Sequence, residues 1–143
     1  MLSSLVSSGG LPVAANPYAL VRNETATPLD LWDRGYRRCV ALLQGAKHLM
    51  SSRDPADLME KARLLHDAFA IVEFWLAALP PDDAESTAST NPSFQARLRT
   101  AYTFVLHRIV KANLNNKPED LEEALKMLQH LRQVFRKEEG VGE

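Results

Sequence analysis

The sequence has only one cysteine and lacks the spacings that mark metal or phosphate sites. Cys39 has no partner for a disulfide within the chain, and no Cys/His cluster has metal-ligand spacing. The only Gly-Gly pair, Gly9-Gly10, lies in an uncharged stretch and does not form a phosphate-binding loop. These absences predict a reduced, cytoplasmic protein with no cofactor and no metal site.

The chain also lacks an excess of charge of either sign. Seventeen Lys and Arg against 18 Asp and Glu leave a net charge of −1. A balance of this kind gives no electrostatic footprint for nucleic acid or for an anionic membrane. With 143 residues, 45% of them apolar, the chain can instead build one globular domain around one core.

No ionisable side chain precedes Arg22, and this stretch also lacks a long apolar run. Ser, Gly and Pro interrupt it too often for a transmembrane helix, so no membrane insertion is expected. Val13-Ala14-Ala15 resembles a signal-peptide cleavage site, but the basic region and continuous apolar core of a signal peptide are missing. We expect residues 1–15 to form a disordered leader.

Start and stop signals divide the rest of the chain into four helical segments. Thr27-Pro28 and Asp54-Pro55 each pair an N-cap with a proline at the first helical position, and Pro80-Pro81 ends the second segment. The predicted helices cover about residues 28–50, 55–79, 93–114 and 118–137. We expect an all-α, antiparallel up-and-down four-helix bundle over residues 16–137, with a flexible N-terminal segment and residues 138–143 as a flexible C-terminus.

The search for catalytic chemistry gives few candidates. None of the four histidines follows an acidic residue by three positions, so a di-iron bundle is excluded. His66, His107 and His130 fall on predicted helices and are candidate phosphoacceptors, and Cys39 could pair with a histidine. No catalytic motif surrounds any of these residues, so we do not expect the protein to be an enzyme. A histidine phosphotransfer bundle stays open as an alternative function.

The second predicted helix is unusually apolar. Between Leu64 and Leu79, only His66, Asp67 and Glu73 are polar. A bundle helix buries a stripe of limited width, so this helix either occupies a central position or exposes a hydrophobic surface. We expect a groove that binds a partner, with the following candidate residues: Leu64, Phe69, Phe74, Trp75 and Leu79.

A series of short motifs then follows a familiar order and spacing. They comprise Asn16-Pro17-Tyr18-Ala19, Thr25-Ala26-Thr27-Pro28, Leu31, Tyr36, Leu98, Tyr102, Ala112-Asn113-Leu114, Leu121 and Leu128. Together they resemble the FliS family of flagellar export chaperones over roughly residues 16–136. The chain departs from the family pattern at Tyr36-Arg37-Arg38, where the family usually has Tyr-Asp-Gly, and at Asn91-Pro92-Ser93, where it has Gly-Gly-Glu.

The resemblance implies a cytoplasmic chaperone that binds the disordered C-terminal region of flagellin in hydrophobic grooves. Covering this region prevents premature polymerisation, and the chaperone delivers flagellin to the flagellar type III export gate. We expect a monomer or a weak homodimer. A generic helical adaptor that binds another amphipathic segment is the remaining alternative.

The resemblance also assigns a role to the N-terminal segment. Ala15, Tyr18 and Val21 correspond to the part that covers the groove in the free chaperone and docks at the export gate. Tyr18 could equally act as a staple that packs this segment onto the bundle.

The two roles of Tyr18 predict different effects of Tyr18→Ala. If the segment is a competing lid, loss of the Tyr18 side chain weakens its hold on the groove. The affinity for a flagellin C-terminal peptide should then rise, because the open, binding-competent state gains population. Calorimetric titration measures the change. An unchanged affinity would support the staple.

Overall fold

The computed structural model describes residues 27–81 and 93–138, and this part of the chain is helical with no strand. The four helices are α1 (Pro28–Leu49), α2 (Pro55–Ala77), α3 (Phe94–Asn115) and α4 (Pro118–Glu138). The predicted all-α fold of four helices is confirmed. The ends of the helices lie within two residues of the expected positions. The predicted leader (1–15), most of the 80–92 connection and residues 139–143 lie outside the described residues.

The contacts within the chain group its residues into two compact units, Met1–Trp32 and Asp33–Glu143. In the first unit, the described residues form the capped start of α1. The Asp30 amide donates to Thr27 Oγ1 at 3.0 Å, and the Thr27 amide donates to Asp30 Oδ2 at 3.3 Å. This reciprocal capping box satisfies amides that the first helical turn leaves unpaired. Pro28 follows the cap at a position where no amide donor is needed.

In the second unit, side-chain caps also begin α2 and α3. Asp54 Oδ1 accepts a hydrogen bond from the Ala56 amide at 3.0 Å, and Ser93 Oγ accepts one from the Ala96 amide at 3.0 Å. Pro55 takes the first position of α2. The polar residues that the sequence places before each apolar segment therefore fix where these helices start.

Residues of α1 meet α2 in reversed order, so the two helices run antiparallel. Gly35 lies against the Trp75 indole, where an added Cβ would come within 3.0 Å of Cζ2, and Gly45 lies near Leu64. The missing side chain at Gly35 lets α1 approach a large ring that any other residue would displace. The glycine thereby makes room for Trp75 in the core.

The other helix pairs are antiparallel as well. Ion pairs join α1 to α4, Asp33 to Arg132 at 2.6 Å and Lys47 to Glu122 at 3.2 Å. Helix α3 packs against both α2 and α4. The Trp75 and Tyr102 rings, 5.7 Å apart, mark its contact with α2. The four helices therefore follow an up-down-up-down path, with the first helix beside the last.

The core lies along the inner faces of all four helices. Its largest fully buried side chains are Cys39, Leu43, Leu65, Val72, Val105, Ile109, Leu121 and Leu128. Each buried aliphatic side chain of this size contributes about 1.5–3 kcal/mol. Among the family-motif positions, Tyr102, Ala112, Leu121 and Leu128 are buried, Tyr36 is half-buried, and Leu31 and Asn113 are exposed.

One asparagine connects three helices. Asn116 follows α3 in the left-handed conformation, with φ 53° and ψ 45°. Its Oδ1 accepts a hydrogen bond from Lys61 Nζ at 2.9 Å, and its Nδ2 donates to the Met50 carbonyl at 2.8 Å. Lys61 is 6% exposed, and burial lowers the pKa of its ammonium group. Asn116 thus joins the end of α1, the second turn of α2 and the end of α3.

Two substitutions of Asn116 should separate the contribution of its side-chain hydrogen bonds from that of its left-handed backbone conformation. Asn116→Gly keeps the left-handed backbone but loses both hydrogen bonds, so the free energy of unfolding should fall by about 1–2 kcal/mol. Asn116→Ala should cost about 1 kcal/mol more, because alanine resists the left-handed conformation. Urea unfolding followed by circular dichroism measures both, with the exposed Asn115→Ala as the matched control. Wild-type stability in both variants would contradict this role.

The ion pair between α1 and α4 makes stability depend on pH. The hydrogen bond from Arg132 holds the pKa of Asp33 below its usual range. A carboxyl group whose pKa is lowered in the folded state stabilises the protein above its unfolded pKa. That stabilisation is lost as the pH falls through the folded value. The Asp33–Arg132 pair therefore stabilises the bundle at neutral pH and loses this effect in acid.

Asp33→Asn should therefore destabilise the protein by about 1 kcal/mol at pH 7. The difference from wild type should shrink below about pH 4, where an unfolded aspartate takes up its proton. Thermal unfolding across this pH range measures the difference. Glu123→Gln, which removes an exposed carboxylate from α4, is the control. A loss that stays constant between pH 7 and pH 3 would argue against the ion pair as the cause.

Candidate functional site

An open groove runs along the surface between α3 and α4. It has a volume of about 460 Å³, within the usual range for sites that bind ligands. Seven of its ten lining residues are apolar. The lining of this α3–α4 groove consists of Phe94, Arg97, Leu98, Thr100, Ala101, Phe104, Met127, His130, Leu131 and Val134.

Helical periodicity explains how the groove is built. Met127, His130, Leu131 and Val134 repeat at three- and four-residue spacing and therefore share one side of α4. On α3, Phe94 and Phe104 stand ten residues apart, which corresponds to about 15 Å along the helix. The groove is therefore long enough for about three turns of a helix lying in it.

Both ends of the α3–α4 groove are held by aromatic contacts. At one end, the Phe94 and Phe135 rings meet edge to face with centroids 6.1 Å apart. At the other end, the Arg108 guanidinium lies 5.0 Å above the Phe104 ring and pairs with Asp120 at 2.9 Å. Because these contacts fix the phenylalanines, the groove is present before any partner binds.

A second, shallower groove lies on the other side of α3, against α2. Its volume is about 200 Å³. Leu114, which is 77% exposed, and the half-exposed Val110 form its α3 wall. Phe69 and His66 line it from α2. We call it the α2–α3 groove. Exposed apolar side chains that adjoin in one patch, unlike scattered single ones, are typical of surfaces that bind partners.

The five predicted groove residues of α2 do not share one surface. Phe69 lines the α2–α3 groove, and Phe74 projects from the outer side of α2 with 71% of its surface exposed. Leu64 faces α1 near Gly45, and Leu79 is half-buried beyond the end of α2. Trp75 is only 8% exposed and belongs to the core. The structure brings Phe69 to a groove and leaves Phe74 on the open surface.

The candidate catalytic residues occupy separate places. His66 is exposed beside the α2–α3 groove, His130 is exposed at the α3–α4 groove, and His107 is exposed on α3. Cys39 is fully buried, and burial raises the pKa of its thiol to about 12. Its Sγ lies 3.8 Å from the Ala68 carbonyl. At neutral pH this thiol is therefore not the thiolate that a nucleophile requires.

Two further observations concern only the described residues. Within residues 27–81 and 93–138, no three acidic, cysteine or histidine side chains come together as a metal site would require. None of the helices described is both long and apolar enough to cross a membrane. The predicted lid residues Ala15, Tyr18 and Val21 lie outside the described part of the chain.

The α3–α4 groove was missed by the sequence analysis. Phe104, Met127 and Val134 flank the buried stripes of their helices, where an apolar residue is easily taken for core. A signal was present, because α3 has phenylalanines at both ends of the groove in addition to its complete buried stripe. An apolar face wider than one stripe indicates surface that the bundle itself does not cover.

A comparison with known families agrees with this architecture. The family model described as "Flagellar protein FliS" matches residues 13–139, which is most of the chain. The chain belongs to the FliS family. FliS proteins are flagellar secretion chaperones, and the family expected from the sequence motifs is confirmed. No curated protein matches this FliS chain.

Membership of a chaperone family indicates that the two grooves could bind a protein partner. A secretion chaperone binds its protein partner through surface contacts, and FliS is a family of chaperones rather than of enzymes. Apolar grooves on the outside of a bundle suit helix-in-groove recognition, in which a partner buries one apolar face. The α3–α4 and α2–α3 grooves are therefore the candidate binding surfaces of this FliS protein.

Proposed function

We propose that this protein is a cytoplasmic export chaperone that binds the disordered C-terminal region of flagellin. The family match over residues 13–139 supports the class of function. The main support for the binding site is the α3–α4 groove, which is mostly apolar, has a volume of about 460 Å³ and is fixed at both ends by aromatic contacts. An amphipathic segment that folds into this groove buries its apolar side chains there.

The energetics favour a partner that folds on binding. A disordered segment loses several kilocalories per mole of conformational free energy when it becomes helical, and burial of apolar surface must exceed this cost. A preformed groove adds little ordering cost on the side of the chaperone. While bound, the flagellin segment is unavailable for filament assembly, which prevents premature polymerisation.

The α2–α3 groove extends the proposed surface to the other side of α3. Phe69 and Leu114 offer apolar contacts there, and Phe74 adds an exposed ring farther along α2. The core position of Trp75 assigns it to supporting α2 rather than to touching the partner. We include Leu64 and Leu79 in this supporting role, since both are half-buried.

The N-terminal segment completes the proposal. Ala15, Tyr18 and Val21 cover an apolar groove in the free protein and dock at the flagellar export gate when flagellin is delivered. The absence of charge before Arg22 supports this role, because a segment that enters and leaves an apolar groove then carries no ionic desolvation cost.

Calorimetric titration with a flagellin C-terminal peptide tests the proposed function. We expect binding at micromolar or lower peptide concentration, with a gain in peptide helicity measured by circular dichroism. Met127→Lys places a charge in the wall of the α3–α4 groove and should weaken binding at least tenfold, or about 1.4 kcal/mol.

The chain offers a matched control for this substitution. Met59→Lys introduces the same charge on α2 at a side chain that is 75% exposed and lies outside both grooves. It should leave the affinity within about twofold of wild type. Absence of heat and of added helicity with the wild-type protein would refute the proposed function. Equal weakening by both variants would refute the α3–α4 groove as its site.

A further inference from the structure

The α3–α4 groove has a distinct charge character. Its lining contains two groups that can carry positive charge, Arg97 on α3 and His130 on α4, and no carboxylate. Two other arginines on these helices are already paired, Arg108 with Asp120 and Arg132 with Asp33. Within the described part of the chain, no acidic side chain pairs with Arg97, which is exposed. Arg97 is therefore free to bind a partner's anion.

The helix register places Arg97 and His130 at the same level of the groove. Phe94 faces Phe135 at one end, and Arg108 faces Asp120 at the other. Moving three residues along α3 from Phe94 corresponds to moving three or four residues back along the antiparallel α4. Arg97 is therefore opposite positions 131–132, immediately beside His130. The two groups stand on opposite rims of one stretch of the groove.

We propose that the segment bound in the α3–α4 groove is an amphipathic helix that places an aspartate or glutamate between Arg97 and His130. This inference rests on the proposed function and specifies the chemistry of its partner. The guanidinium of Arg97 offers paired donors in the geometry of a carboxylate. The imidazole of His130 offers an N–H donor whether it is neutral or protonated.

The apolar surroundings strengthen this recognition and give it a register. Leu98, Ala101 and Leu131 are buried at the base of the groove, so a helix seated there excludes water beside the carboxylate. Exclusion of water lowers the local dielectric constant and strengthens the attraction between the charges. The acidic residue and its apolar neighbours at three- and four-residue spacing must reach their contacts at the same time. The ion pair therefore fixes the position of the bound helix along the groove.

Titration of a flagellin C-terminal peptide against charge variants tests the inference. Arg97→Gln should weaken binding about threefold, and Arg97→Glu, which repels the carboxylate, should weaken it about tenfold. Arg53→Gln and Arg53→Glu make the same charge changes in the exposed α1–α2 connection and serve as controls. Both should remain within about twofold of wild type. Thermal unfolding verifies that each variant is folded.

Amide replacements in the peptide complete the cycle. Changing the peptide's acidic residues one at a time to their amides should identify one position that weakens binding to wild type. The same change should have a smaller effect on Arg97→Gln, since the contact with Arg97 is already absent and only the contact with His130 remains. This non-additivity is not expected of a change that only disturbs the fold.

The possible outcomes separate the two proposals. If wild type binds the peptide but Arg97→Glu binds equally well, or if no amide replacement couples to Arg97, the acidic contact is wrong and the proposed function stands. If wild type does not bind the peptide, the proposed function fails and the inference fails with it. If the groove instead pairs two copies of this chain, sedimentation will give a dimer that the peptide does not dissociate, which also overturns the inference.

Discussion

A bundle helix buries one stripe of side chains, and α3 has more apolar surface than one stripe can hold. Its buried residues, from Leu98 to Ala112, face the core. Other apolar side chains, among them Phe104 at the α3–α4 groove and Leu114 at the α2–α3 groove, stay outside the core. The grooves follow from this excess, and with them the capacity to bind a partner.

The polar contacts determine how rigid these grooves are. Asn116 joins three helices, and Arg108 contacts both Phe104 and the start of α4. Hydrogen bonds and ion pairs of this kind impose direction, which apolar packing does not. The cost of ordering on binding therefore falls mainly on the partner. A preformed groove suits the disordered client that we propose, because the client then carries most of the ordering cost.

The helix boundaries were predictable because local signals determine them. Thr27-Pro28 and Asp54-Pro55 are start signals that act within one turn. The binding surface was less predictable, because it depends on contacts between helices. The sequence predicted Trp75 as a candidate groove residue, yet Gly35, forty positions earlier, opens a place for it in the core. Periodicity along one helix carries no information about such a gap on its neighbour.

The burial of Cys39 has a practical consequence. Cys39 of α1 is fully buried, its Sγ lies 3.8 Å from the Ala68 carbonyl of α2, and burial raises the pKa of its thiol to about 12. A thiol-specific reagent reaches it only when these helices separate, so the labelling rate reports the frequency of that opening event. Because the chain has no other cysteine, the signal comes from one site without an engineered probe. The natural sequence therefore contains a single-site probe for the local opening of the bundle.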